Sequence, residues 1–266
     1  MERATIAAAF RGIQDSICAQ LEELDGKARF RDDPWSRAEG GGGLSRPIAD
    51  GALIEKGGVN FSEVFGPLSP SAAKALKVDA QEFYATGVSI VLHAHSPWVP
   101  TIHMNIRYFE AGNTYGASDK WFGGGIDLTP VYVDAPSARL FHALLKEVCD
   151  RWDPRYYPDY KRWADDYFYL PHREETRGIG GIFYDRVVPS AERPIDHIFG
   201  FTRDVGLAFA PLYAQIAGPM RDRPFTQRER DWQLLRRGRY VEFNLVHDRG
   251  TRFGLETGGR TESILM

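Results

Sequence analysis

The stretch that decides the fold runs from residue 101 to 109 and reads Thr101-Ile102-His103-Met104-Asn105-Ile106-Arg107-Tyr108-Phe109. Apolar and polar side chains alternate along it, which predicts a β-strand with one buried face. The polar face carries an imidazole, an amide and a guanidinium spaced about 7 Å apart. Because an exposed strand face usually carries Lys, Glu, Thr and Ser, we interpret His103, Asn105 and Arg107 as groups that grip a carboxylate and move a proton.

Two neighbouring segments are predicted to flank this strand in a sheet. Residues 87–95 alternate in the same way and place Ser89 and His93 on one side. Residues 121–130 read WFGGGIDLTP and place Asp127 between two apolar neighbours. Three successive glycines weaken a strand, and their usual reason is the close approach of a flat ligand or of another backbone. We therefore expect the functional site on these three segments.

The rest of the chain is predicted to contain both helices and strands. Apolar spacing, Pro positions and a capping box at Thr226 predict helices at 4–24, 136–152, 158–169, 195–217 with a break near Pro211, and 226–237. Alternation and turn residues predict strands at 28–37, 45–48, 52–56, 179–185, 239–246 and 251–255, with the run 40–43 flexible. Since most connections are short, we expect an α+β fold, a large and mostly antiparallel sheet flanked by helices, as a single domain over 1–266.

Composition limits the classes of function. The formal net charge is −3, which argues against a nucleic-acid or membrane-surface partner, so an anionic ligand needs local arginines. Arg107 and Arg260, with Arg173 or Arg177, are the candidates. The sequence contains no strand–GxGxxG–helix unit, which disfavours bound NAD or FAD. No window reaches the length of a transmembrane span, and two cysteines in helix-like segments favour a reducing cytoplasm.

The roles of the polar strand residues stay open at this level. Arg107 needs either an internal acidic partner or an anionic ligand, because a buried unpaired guanidinium is costly. Asp127 is an acid/base candidate or an acceptor for a ligand N–H, depending on whether burial raises its pKa or Arg107 lowers it. His93, His95 and His103 are close enough in sequence for a metal site, but no ligand motif supports one, so structural or acid/base roles are favoured.

Long motifs in this chain resemble the oxygen-dependent coproporphyrinogen III oxidases of heme biosynthesis, in their bacterial form. They are GVS at 87–89 with His93, PTIHMNIRYF at 100–109, WFGGGIDLTP at 121–130, HR at 172–173 with RGIGG at 177–181, GRYVEFN at 238–244 and GGRTES at 258–263. Two departures stand out. Lys120 replaces the first of two tryptophans usual in the family, and the chain ends at Met266 where the family continues with a further C-terminal segment.

The resemblance implies a homodimer whose contact includes the segment from about Tyr240 onward. It implies that coproporphyrinogen III is the substrate and that O₂ is the co-substrate. Propionates on rings A and B become vinyl groups, giving protoporphyrinogen IX with release of CO₂ and hydrogen peroxide or water. No flavin, nicotinamide or heme is implied. The alternatives are a non-catalytic tetrapyrrole carrier and a histidine-dependent metallohydrolase.

The resemblance also implies roles for individual residues. The catalytic set is His103, as proton donor, with Asp127 and Arg107. The substrate-binding set is Ser89, Asn105, Ile106, Arg107, Gly258, Gly259 and Arg260. A divalent metal is implied at His93, His103, His142 and His172, although the spacing of these histidines does not establish that one is required.

Overall fold

The computed structural model describes residues 1–112, 118–256 and 259–265. Its centre is a seven-stranded sheet of order β1-β2-β3-β4-β5-β6-β9, in which every neighbouring pair is antiparallel. The strands are β1 Asp33–Ser36, β2 Gly41–Ala49, β3 Ile54–Pro67, β4 Glu82–Ala94, β5 Thr101–Gly112, β6 Ser118–Thr129 and β9 Gly181–Val187. A separate hairpin pairs β7 Tyr169–Leu170 with β8 Glu175–Thr176.

Helices lie on both faces of the sheet. They are α1 Arg3–Asp25, α2 Pro70–Leu76, α3 Ala135–Asp150, α4 Tyr156–Tyr167, α5 Ile195–Ala217, α6 Gln227–Val246, α7 Arg249–Glu256 and α8 Thr261–Ile264. The predicted fold class, a large antiparallel sheet flanked by helices, is confirmed. Among the described residues, none of these helices is long and apolar enough to cross a membrane.

The apolar face of β5 forms the centre of the core. Ile102, Met104 and Ile106 are fully buried, as their alternation predicts. Helix α5 packs so closely that a Cβ on Gly206 would lie 2.8 Å from Cδ1 of Ile106 and 3.1 Å from Cγ2 of Ile13 on α1. Because α1 and α5 occupy this face, the polar residues of β5 lie on the other one.

The hairpin between β2 and β3 is anchored by a buried carboxylate. Asp50 adopts a positive φ of 57°, as a tight Asp-Gly turn requires. Asp25, at the end of α1 and 1% exposed, accepts hydrogen bonds from the backbone N–H groups of Lys27, Ala28, Ala52, Leu53 and Ile54. This carboxylate therefore joins the first helix to the turn of the first long hairpin.

The prediction of a flexible run at 40–43 is wrong for its last three residues. Gly41, Gly42 and Gly43 begin β2 and pair with β3. A Cβ on Gly43 would lie 2.5 Å from Cζ2 of Trp35. These glycines thus allow the Trp35 ring and adjacent backbones to approach β2.

The strands predicted at 239–246 and 251–255 are helical, in α6 and α7. The capping box between Thr226 and Glu229 forms as predicted, with Thr226 N–H donating to Glu229 Oε2 at 2.8 Å. Gln233, Tyr240 and Phe243 are the buried residues of α6, and this helical spacing overrides the local alternation. Pro211 does not break α5 either, since the helix continues through it from Ile195 to Ala217.

Candidate active site

The register of three strands, β4, β5 and β6, collects the polar residues of β5 and its neighbours on one face. Facing residues on paired strands project to the same side of a sheet. The pairs are Ser89 with Asn105, Asn105 with Gly125, Arg107 with Gly123 and His103 with Asp127. The structure therefore brings together five of the predicted site residues on the face opposite α1 and α5.

Ile106 is the exception within this stretch. Its side chain is fully buried in the core on the opposite face, next to α5. The substrate-binding role that the resemblance implied for Ile106 therefore does not fit its side chain. Only the backbone of Ile106 lies next to the polar face, between Asn105 and Arg107, since alternation directs its side chain into the core.

Asp127 joins two cationic or protonatable groups below the surface of this face. Its Oδ1 lies 2.8 Å from Nδ1 of His103, and its Oδ2 accepts from Nη2 of Arg177 at 2.7 Å. The Asp127 side chain is 1% exposed and the His103 side chain 28%. An ionised carboxylate only accepts hydrogen bonds, so Nδ1 of His103 carries a proton and Nε2 is the free nitrogen. Within the described ranges, this Nε2 has no hydrogen-bond partner.

The charge state of Asp127 follows from its surroundings. Burial alone would raise its pKa, but the charge of Arg177 and the hydrogen bond from His103 outweigh burial, and the pKa is lowered. Asp127 is therefore ionised at neutral pH. Of the two outcomes that the sequence left open for this pKa, lowering is the one found, although Arg177 rather than Arg107 is the cause.

Arg177 is enclosed and does not offer a carboxylate-binding edge. Its side chain is 3% exposed, and its Cζ lies 4.3, 4.6 and 4.6 Å from the ring centroids of Phe168, Tyr240 and Phe243. Nη1 donates to Asn244 Oδ1 at 2.7 Å. Aromatic faces and an amide oxygen accommodate the cation, and Asp127 neutralises it. The sequence-based suggestion that Arg177 binds a ligand carboxylate is therefore wrong.

Arg107 has an internal acidic partner and an open edge. Its Nη2 donates to Asp185 Oδ1 and its Nη1 to Asn105 Oδ1, both at 2.7 Å. The Arg107 side chain remains 32% exposed. Since a guanidinium has five N–H groups, donors remain for an incoming carboxylate. Burial opposes the charge, but Asp185 outweighs it, so the pKa of Arg107 is raised.

The glycines of β6 serve contacts within the protein. A Cβ on Gly123 would lie 2.9 Å from both Cζ and Nε of Arg107, and one on Gly124 would lie 2.7 Å from the Tyr184 hydroxyl on the core face. At Gly125 it would lie 2.4 Å from the carbonyl oxygen of Ile182 on the next strand. Close approach thus explains the three glycines, but the partners are a guanidinium, a ring and a backbone.

The C-terminal segment docks on the same face, toward β1. Gly258 lies outside the described residues. Arg260 Nη2 donates to Asp33 Oδ2 at 2.8 Å, while the Ser263 hydroxyl contacts that of Ser45 at 2.7 Å. The facing pairs Ser45–Asn60, Asn60–Ser89 and Ser89–Asn105 continue this contact as a polar row to β5. Gly259 and Arg260 therefore border the same surface as the other predicted residues, and Arg260 Nη1 is buried without a hydrogen bond among the described residues.

The four histidines implied as metal ligands have separate partners. His93 is 5% exposed, and its Nδ1 lies 3.2 Å from the Thr101 hydroxyl. Burial lowers the pKa of His93 to about 3, so this ring is neutral. His142, on α3, places Nε2 3.1 Å from the carbonyl oxygen of Ile179. His172 places Nε2 2.5 Å from Glu242 Oε1.

These four residues do not fit a single metal ion. In the ranges 1–112, 118–256 and 259–265, no group of three or more His, Cys, Asp or Glu side chains is arranged to hold one. His93 and His103 share a face of adjacent strands, but their bonded nitrogens face Thr101 and Asp127. We derive no chemical step through a metal.

Sequence reasoning missed three residues that complete the site. Asp185 was placed in a strand without a role, and it holds Arg107. Tyr240 and Asn244 were assigned to a strand, whereas α6 presents both to Arg177. The spacing of four residues between them was the available signal, because residues four apart share one side of a helix.

Comparison of the sequence with known proteins identifies the family to which this site belongs. The profile of the coproporphyrinogen III oxidase family matches residues 5–266. The chain belongs to the coproporphyrinogen III oxidase family. A relative from Arabidopsis thaliana, coproporphyrinogen-III oxidase 1, chloroplastic, is 46% identical over 275 residues, which cover 99% of this chain and 70% of the relative. The resemblance drawn from the motifs is thereby confirmed, and the face of β4, β5 and β6 is the candidate active site of this family member.

Proposed function

We propose that the protein is an oxygen-dependent coproporphyrinogen III oxidase of heme biosynthesis. It converts the propionates on rings A and B of coproporphyrinogen III into vinyl groups and yields protoporphyrinogen IX. Membership of the family along the whole chain carries the proposal. The His103 imidazole and the Arg107 guanidinium also support it, because both are partly exposed and lie on the face of β5 opposite the core.

The balance of the reaction shows what the protein has to supply. Each propionate loses CO₂, and the carbon attached to the pyrrole loses one hydrogen, which releases two electrons and one proton. O₂ takes up the two electrons with this proton and one further proton from solvent, and becomes hydrogen peroxide. Because the porphyrinogen is electron-rich, it is itself the reductant. The protein then has to position the substrate, exclude water and move protons.

His103 and Arg107 are the residues proposed to contact the substrate at the reacting arm. Nε2 of His103 is the exchangeable position, and Asp127 holds the ring through Nδ1. Asp127 is therefore proposed as a positioning residue, since its oxygens face His103 and Arg177 and the side chain is 1% exposed. Arg107 clamps the propionate through its open edge, as guanidinium and carboxylate geometry favours.

The remaining substrate arms are proposed to bind along the polar row. Ser89 and Asn105 offer hydrogen bonds next to Arg107. Arg260, whose side chain is 28% exposed, is proposed to bind a second carboxylate near β1. Two guanidinium groups at separate places on one face suit a substrate whose carboxylates project from different pyrroles.

A homodimer is part of the proposal. Helix α6 exposes an apolar stripe formed by Leu234, Val241 and Leu245, which are 50%, 49% and 49% exposed. Their spacing of seven and four residues places them on one side of the helix. Two copies of the stripe can pack together, which agrees with the expected contribution of the segment from Tyr240 onward. We also propose a cytoplasmic location, which the two free, buried cysteines support.

The test is to mix the protein with coproporphyrinogen III without oxygen and then admit air. We expect oxygen uptake at an electrode and the appearance of protoporphyrin fluorescence after chemical oxidation of the product. A protein that binds the porphyrinogen but consumes no oxygen would instead be the tetrapyrrole carrier considered as the alternative.

A further inference from the structure

Two acidic side chains, Asp127 and Asp185, lie on the active-site face near His103 and Arg107, and they differ in accessibility. Asp127 has one oxygen on His103 and the other on Arg177, and its side chain is 1% exposed. A ligand N–H cannot reach it unless this arrangement is disrupted. The early interpretation of Asp127 as an acceptor for a ligand N–H therefore does not fit the structure.

Asp185 is the accessible carboxylate. Its side chain is 24% exposed. Its Oδ1 accepts from Arg107 Nη2 at 2.7 Å and from the backbone N–H of Arg186 at 3.0 Å. In the part of the chain that the structure describes, Oδ2 has no hydrogen-bond partner. Since a carboxylate oxygen accepts two hydrogen bonds, this oxygen is available to a ligand beside Arg107.

A β-bulge in β9 directly follows the position that carries Asp185. Phe122 faces Val187, but Gly124 faces Tyr184, so Asp185 and Arg186 together lie opposite Gly123 alone. Without the bulge, Arg186 would lie opposite Phe122 and its side chain would face the core. The bulge puts Val187 there instead and leaves Asp185 on the same face as Arg107.

The extra residue adopts an unusual backbone conformation that the fold holds in place. Arg186 has a φ of 50°, in the left-handed region that non-glycine residues rarely adopt. Its Cζ lies 4.7 Å from the Trp121 ring centroid, and Nη1 donates to the carbonyl oxygen of Leu76 at 2.5 Å. Strained residues held by several contacts are concentrated at functional sites. The backbone N–H of Arg186 donates to Oδ1 of Asp185, so the conformation of Arg186 helps to orient this carboxylate.

We propose that Asp185 accepts pyrrole N–H hydrogen bonds from the bound substrate, an inference that rests on the proposed function. A porphyrinogen has four pyrrole N–H donors and no ring acceptor, so each buried donor needs an acceptor from the protein. A propionate held at Arg107 brings its own pyrrole next to Asp185. The negative charge at the N–H also favours loss of electrons from that pyrrole, which is the one being oxidised.

The test compares two ligands that have the same carboxylates but different ring nitrogens. Coproporphyrinogen III has four N–H groups, whereas the oxidised porphyrin, coproporphyrin III, has two N–H groups and two nitrogen acceptors. Binding of both to the wild-type protein and to Asp185→Asn is measured by calorimetry without oxygen. Asparagine keeps an oxygen for Arg107 and Arg186, but it replaces the free oxygen by an N–H donor.

We expect Asp185→Asn to weaken porphyrinogen binding about ten- to a hundredfold, the range for hydrogen bonds to charged groups, and porphyrin binding by much less. Asp185→Ala should show the same difference between the ligands. Asp222→Asn is the matched control, because Asp222 is 95% exposed and should leave both affinities unchanged. Thermal unfolding of each variant checks that it is folded.

Three results would overturn the inference. Equal weakening for both ligands would mean that Asp185 acts only by holding Arg107, which contacts the carboxylates common to both. Unchanged binding of both ligands would mean that Asp185 does not face the substrate. A wild-type protein that binds neither ligand would overturn the proposed function and this inference together, whereas the first two results leave the proposed function standing.

Discussion

Single side chains determine the chemistry of the site, and Arg177 is the least replaceable of them. It lies among Phe168, Tyr240 and Phe243 and compensates the charge of Asp127. The ionised Asp127 in turn fixes the tautomer of His103. The reactivity of a partly exposed imidazole therefore depends on a cation that does not touch the substrate.

Asp127→Asn tests this dependence. An amide does not hold Nδ1–H of His103 as a carboxylate does, so we expect kcat to fall about a hundredfold or more. Arg177 would be left as an unpaired buried charge, which should lower the free energy of unfolding by about 3–5 kcal/mol. Product formation and urea unfolding measure the two effects. His103→Gln is the comparison, with a similar loss of kcat and a smaller loss of stability, and near-normal vinyl formation by Asp127→Asn would contradict the assignment.

Asp25 makes stability depend on pH. Burial alone would raise the pKa of Asp25, but four backbone N–H groups, among them that of Ile54, outweigh burial and hold the pKa at about 2. A depressed pKa stabilises the folded state above the unfolded pKa of about 3.9, and this contribution is lost as pH falls toward 2.

We expect Asp25→Asn to lose about 2 kcal/mol of stability or more at pH 7. The wild-type protein should lose more stability than the variant when the pH is lowered from about 5 to 2, as chemical unfolding at each pH would measure. Parallel pH profiles for the two proteins would show that Asp25 does not stabilise the hairpin through its charge.

Among the secondary-structure elements, those with strong local signals were predictable and those fixed by pairing were not. The alternation in β5 and the apolar spacing of α1 are patterns of residues that are close in sequence, and both elements form where they were predicted. Alternation at 239–246 predicted a strand, but this segment belongs to helix α6, which buries the side that carries Tyr240 and Phe243. The bulge at Asp185 depends on the register with β6, which no local pattern contains.

Ion pairs with Glu55 on β3 join helix α6 to the sheet. Glu55 accepts from Arg230 at 2.8 and 2.9 Å and from Arg237 at 2.8 Å. Burial would raise the pKa of Glu55, but the two arginines outweigh it and lower the pKa to about 2. Since Gln233, Tyr240 and Phe243 are the buried residues of α6, apolar packing contributes little along most of its length.

Glu55→Gln should therefore loosen α6 more than the sheet. We expect faster amide hydrogen exchange across 227–246, with the strands β4 to β6 unchanged, and lower activity because Tyr240 and Asn244 no longer enclose Arg177 fully. Mass spectrometry of exchanged peptides measures this. Glu82→Gln, at an exposed position of β4, is the control. Uniform exchange changes, or none, would show that α6 does not depend on Glu55.

For the whole molecule, the architecture and the location of the site followed from sequence, but the pairing of charges did not. Ser89, His103, Asn105, Arg107 and Asp127 were predicted to lie together because alternation and short connections determine which face they share. The partners of Arg107 and Asp127 could not be inferred, since Asp185 and Arg177 lie far along the chain. The same holds for assembly. The apolar stripe of α6 indicates a contact surface, but the sequence does not determine which residues of a second copy would lie against it.

The dimer prediction concerns the apolar stripe of α6. Leu245→Glu and Val241→Glu should each shift the protein toward a monomer, because a buried carboxylate at a helix contact is unfavourable. Sedimentation velocity at micromolar concentration measures the change. Leu207→Glu is the control, as Leu207 is 40% exposed on α5, away from α6, and should leave assembly unaffected. A wild-type monomer, or dimers of unchanged stability in the stripe variants, would contradict the prediction.

The enclosed pair of Arg177 and Asp127 also constrains how such a sequence can diverge. Changing Asp127 alone leaves the Arg177 charge unpaired among Phe168, Tyr240 and Phe243. Changing Arg177 alone leaves Oδ2 of the buried Asp127 carboxylate without its partner. Single substitutions at either position are therefore disfavoured in evolution. We expect residues 127 and 177 to change together or not at all.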